Sequence, residues 1–176
     1  SRLEEVLRRH EELNERVERT VKKVHDDSKE LIDRIRKDVE KVVRELEKVI
    51  DEVEKNSRDK DLVREMIKRI EDVLRRLEDR VRKLAEKIDR VLEESRRLVE
   101  ELAKRSRESL KRLVDTIGKE SEKVEEIERH ARKVERRLEE IVDRNRKSVD
   151  KAKKELEKIV RDVRRRVEEV VDRLRK

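Results

Sequence analysis

The chain has 176 residues, of which 55 are Lys or Arg and 48 are Asp or Glu, giving a formal net charge of +7 with 59% of positions charged. It has no aromatic residue, no Pro, no Cys and one Gly, which excludes a disulfide framework, a thiolate nucleophile, a cysteine-based zinc site and aromatic platforms for stacking bases. No apolar run approaches the roughly 18 residues that span a bilayer, no signal-peptide core opens the chain, and the two charge signs are interspersed, so a soluble protein without a membrane partner is expected.

An apolar share of 32% beside this much charge raises disorder as an alternative. Periodicity decides for helix. In the first segment the inward positions Leu3, Val6, Leu7, His10, Leu13, Asn14 and Val17 recur 18 residues later as Val21, Val24, His25, Ser28, Leu31, Ile32 and Ile35. They recur again as Val39, Val42, Val43, Leu46, Val49, Ile50 and Val53. Eighteen residues make five turns of an α-helix, so the stripe runs straight along the axis instead of drifting as a strict heptad does. Outward positions are charged, with Glu5 and Arg9 among the pairs set four apart, acid first, on a solvated face.

The pattern lapses at EKNSRDKD (54–61), where Ser57 or Asp59 is a candidate N-cap. A second helix follows on the same period, from Leu62, Val63, Met66, Ile67 and Ile70 through Ser95, Ser106 and Ser109 to Leu113. It ends at DTIGKES (115–121), where Gly118 suits a left-handed C-terminal cap and Ser121 an N-cap. The third helix runs from Val124, Ile127, His130 and Ala131 through Asn145 and Ser148 to Leu174. The predicted bounds are about 2–55, 58–116 and 120–175, each helix on the order of 80 Å long, in a single domain spanning 1–176.

Short connections force the helices antiparallel, up, down, up. With turns centred near 58 and 118, residues of helices 1 and 2 are level when their numbers sum to about 117, and helix 3 is level with helix 1 at an offset of about 120. The polar residues inside the stripes then gather into two layers. One holds His10, Asn14, Ser106, Ser109 and His130; the other holds His25, Ser28, Ser95, Asn145 and Ser148. A buried polar group without a partner costs about 1 to 3 kcal/mol, so such layers penalise any alignment or partner that sets them against Val and Leu.

With these layers, idealised long helices, Glu/Arg/Lys surfaces and Val/Ile/Leu cores, the chain resembles de novo designed helical bundles with buried hydrogen-bond networks. In particular it resembles the three-helix subunit of a designed heterodimer in which a four-helix bundle is split into one helix and three. That resemblance implies a synthetic protein with no natural compartment, soluble on cytoplasmic expression, whose partner is one complementary designed helix. The stripes fill about 120 to 140° of each helix wheel, wider than a narrow seam. If helices 1 and 3 stand diagonally, their free flanks form a groove for that helix or for a second copy of the chain.

The expected fold class is therefore all-α, a long antiparallel three-helix bundle or three quarters of a four-helix bundle. The expected function is specific helical association, with a self-contained monomeric scaffold or a homo-oligomer as alternatives. No enzyme activity, cofactor, metal or small-molecule substrate is expected. The residues three before His10, His25 and His130 are Leu7, Lys22 and Ile127, which breaks the Glu-x-x-His pattern of carboxylate-bridged sites in bundles. The serines lack an oxyanion donor or strained elbow. RDVRRRVEEVVDRLRK (161–176) is basic but carries Asp162, Glu168, Glu169 and Asp172, so a solvated face is preferred to nucleic-acid binding. Buried imidazoles bonded as neutral groups predict association or stability that weakens in acid.

Overall fold

The computed structural model describes residues 2–118 and 122–176, with the side chains of residues 2, 3 and 6 outside that description. It contains three α-helices, α1 (Arg2–Lys55), α2 (Lys60–Ile117) and α3 (Glu122–Arg175). All three pairs of helices pack together, and the chain is a three-helix bundle. The candidate cap Ser121, the predicted helix start at 120 and the side chains of Leu3 and Val6, expected to face inward, lie outside what is described.

The connections follow from local chemistry. Asn56 closes α1 by donating from its backbone N and its Nδ2 to Glu52 O, at 3.1 and 3.0 Å. Between the two cap candidates, Asp59 takes the position: its Oδ1 accepts from Leu62 N at 3.2 Å, and its carbonyl accepts the first bond of α2 from Val63 N at 3.0 Å. Gly118 ends α2 at φ +94°, where a β-carbon is strained, and donates to Val114 O at 2.9 Å.

The chain divides into two compact units, each built from a stretch of all three helices. The first comprises Ser1–Asp27 and Asp89–Val149; the second comprises Ser28–Ile88 and Asp150–Lys176. In the second unit Leu46, Ile50 and Val53 of α1 meet Val63, Ile67, Ile70 and Leu74 of α2 and Val167, Val170 and Val171 of α3 in one apolar cluster. Smaller clusters lie among the described residues of the first unit. Val17 and Val21 meet Val99 and Leu138 in one; Leu110, Leu113 and Val114 meet Val124 and Ile127 in another, with Leu7 against them. The polar residues His10, Ser106 and His130 interrupt the stripes between these two clusters.

Ion pairs flank the α1–α3 seam at one constant offset of 119 positions. In the first unit Glu11 approaches His130 at 3.8 Å and Glu18 pairs with Arg137 at 3.0 Å. In the second, Arg36 pairs with Glu155 at 4.0 Å, Glu47 with Arg166 at 2.7 Å and Glu54 with Arg173 at 3.3 Å. These contacts correct the diagonal placement of helices 1 and 3: within each unit α1 and α3 are direct neighbours, and the three apolar faces converge on a triangle. The wide stripes remain, however. Leu13, Val24, Leu31, Val42 and Val49 lie about 50 to 70° from the buried direction of α1 at 100° per residue and are only half-buried.

Candidate functional site: the polar layers

His10 is the centre of the first layer and is only 7% exposed. Its position on the α1 stripe points it at the bundle axis, where it reaches partners one turn along its own helix and on both neighbours. Asn14 donates from Nδ2 to His10 Nδ1 at 3.1 Å. That leaves Nδ1 as the acceptor, so the ring proton sits on Nε2, which donates to Ser106 Oγ on α2. His130 of α3 meets His10 edge to face, with ring centroids 6.0 Å apart and planes at 60°. Burial lowers the pKa of His10 below the ordinary histidine value; the neighbouring His130 lowers it further, while Glu11 and Glu135 act in the opposite sense.

The structure thus brings together His10, Asn14, Ser106 and His130. His130 is less enclosed, with its side chain 35% exposed, yet its Nε2 is buried without a hydrogen-bond partner. Ser109 does not belong to this layer: it is exposed. On the α2 wheel it lies about 60° from Ser106, on the side away from buried Leu110 and Val114. A residue can match the level of a layer and still miss its direction.

The second layer is looser. His25, Ser95, Asn145 and Ser148 are half-buried in the first unit, whereas Ser28 is buried and falls in the second. His25 holds Asp26 Oδ1 with Nδ1 at 3.1 Å and reaches Ser148 Oγ with Nε2 at 3.4 Å, the long end of hydrogen bonding. Beside it an open groove of about 590 Å³ runs between α1 and α3, lined by Glu15, Glu18, Arg19, Lys22, His25, Asp26, Ile141 and Asn145. Sequence reasoning did not locate this groove at Ile141. The signal available was local: Ile141 and Asn145 sit one turn apart on the α3 flank that faces charged α1 positions.

Ser106, His10 and Asn14 superficially follow the order of a nucleophile, base and orienting amide. The chemistry does not follow. His10 Nε2 carries the proton and cannot take one from Ser106, and the hydroxyl is buried inside a helix whose backbone N–H groups are engaged in the helical ladder. Among the described residues no group of three or more His, Cys, Asp or Glu is placed to hold a metal ion. The basic segment 161–176 is tied down by acids: Arg164 to Glu78 and Glu168, Arg166 to Glu47, Arg173 to Glu54 and Arg175 to Glu71. Among the described residues no helix is long and apolar enough to cross a membrane.

No protein-family profile matches the chain, and no curated protein is significantly similar to it. It is similar in structure to a solved "Computationally designed three helix bundle", with a TM-score of 0.50 and 19% identity, over 98% of this chain and 85% of that one. At that identity the likeness concerns the fold, and it agrees with the helix count and packing described above.

Proposed function

We propose that the chain is a designed structural and association protein, with no catalytic role, that binds one complementary amphipathic helix at the α1–α3 groove of its first unit. The observation that carries this reading is the contrast between the layers: His10 is enclosed by its partners, whereas His25 and Asn145 line an open groove together with Ile141. A helix laid there covers an apolar side chain and brings polar groups to the half-open layer. The charged lining of Glu15, Glu18, Arg19, Lys22 and Asp26 offers both charge signs to its flanks, the arrangement that selects partners in helical assemblies.

A self-contained scaffold is the second reading, favoured by the α1–α3 ion pairs and the buried apolar cluster of the second unit. Light scattering over a range of concentrations, combined with a dye that fluoresces on exposed apolar surface, separates the two. A monomer that binds dye, with dye binding reduced by Ile141→Glu, supports the vacant helix site. A dimer that Ile141→Glu returns to monomer puts a second copy in the groove instead. A monomer that binds no dye leaves the self-contained scaffold.

A further inference from the structure

All three histidines of the chain, His10, His25 and His130, lie in the first unit, and the second has none. We propose that mild acid opens the first unit while leaving the second closed, with the His10 layer as the trigger. This inference stands apart from helix association, because it needs only the chain itself.

The hydrogen bonds around His10 are directional, and they fit only its neutral ring. A second proton must go on Nδ1, where Asn14 already presents its Nδ2 donor at 3.1 Å. Two donors then face each other in a buried site, and relief requires Asn14 to turn its amide or His10 to leave. A charged His10 also faces His130 across 6.0 Å. On the other side of the pair, Glu11 Oε1 stands 3.8 Å from His130 Nε2.

The groups around His10 comprise Glu11 and Asn14 on α1, Ser106 on α2, and His130 and Glu135 on α3. Glu135 is shared, because Arg107 of α2 donates to it, which weakens it as a counter-charge for His10. Burial dominates the balance and favours the neutral ring. The sign follows: with the folded value below the unfolded value of 6.5, stability is full well above pH 6.5 and declines as pH falls through it, levelling off once the folded ring is charged. His25 is left out of the trigger, because it is only half-buried and its Nδ1 lies 3.1 Å from the exposed carboxylate of Asp26.

Hydrogen exchange followed by mass spectrometry at pH 7.5 and pH 5.0, corrected for the intrinsic pH dependence of exchange, tests the proposal on the intact chain. Protection of first-unit peptides is expected to fall about tenfold or more, and that of second-unit peptides less than about twofold. An equal fall in both units, or none in the first, overturns the proposal. In the double variant His10→Asn, His130→Asn the tenfold fall should vanish; its persistence overturns the assignment to this layer. Should that variant fail to fold, an NMR titration of His10 in the unmodified chain decides: a midpoint below 6.5 is expected, and one at or above 6.5 overturns the proposal.

Discussion

The second unit buries a large apolar cluster drawn from all three helices, while the first interrupts its core with hydrogen-bonded side chains. The difference separates two jobs that a helical bundle must do. Apolar burial is strong but non-directional, so Val and Leu stripes repeating every 18 residues stay satisfied when a helix slides by a turn or accepts a different neighbour. Hydrogen bonds at His10 are directional, and a slide by one turn sets its ring against Val or Leu. On the proposed reading both units supply packing energy, and the His10 layer of the first adds register.

Substitutions in the two units should break this comparison in opposite ways. The largest effect is expected at Ile70, 1% exposed in the second-unit cluster: Ile70→Ala should cost about 2 to 5 kcal/mol, read as a lower denaturant midpoint. In the first unit Ser106→Ala removes the acceptor of His10 Nε2 and should cost about 1 to 3 kcal/mol. Ser109→Ala, three residues on and exposed, should leave the midpoint within about 0.5 kcal/mol. Equal costs at the two serines would restore Ser109 to the layer.

Smaller effects sharpen the picture at the helix ends and seams. Asp59→Ala should cost about 1 kcal/mol through loss of the cap on Leu62 N, while Ser57→Ala should cost little. Glu47→Gln breaks the 2.7 Å pair with Arg166, whose side chains are half-exposed. It should change stability by less than about 1 kcal/mol, and the change should shrink further in high salt.

Much of this was legible in the sequence because long, straight helices turn position into distance. The 18-residue spacing gave three helices, Gly118 fixed a left-handed end, and the expected offset of 120 placed His10 near His130, against a measured offset of 119 along the seam. Direction was less legible than level, as Ser109 shows. Neighbour arrangement was less legible still, because a wide apolar stripe suits the corner of a square and also a triangle in which its edge, from Leu13 to Val49, stays half-buried. The charge pattern held the missing information: Glu18 with Arg137, Glu47 with Arg166 and Glu54 with Arg173 repeat one offset, and a fixed offset between opposite charges marks adjacent helices.

The most direct test of a register-setting polar layer is the protonation state of the His10 ring, read from long-range proton–nitrogen NMR correlations at pH 7.5. The expected result is a single neutral tautomer with the proton on Nε2 and a bare Nδ1 that accepts from Asn14. A proton on Nδ1, or a ring averaging rapidly between tautomers as in a solvated histidine, would contradict a closed network at that position.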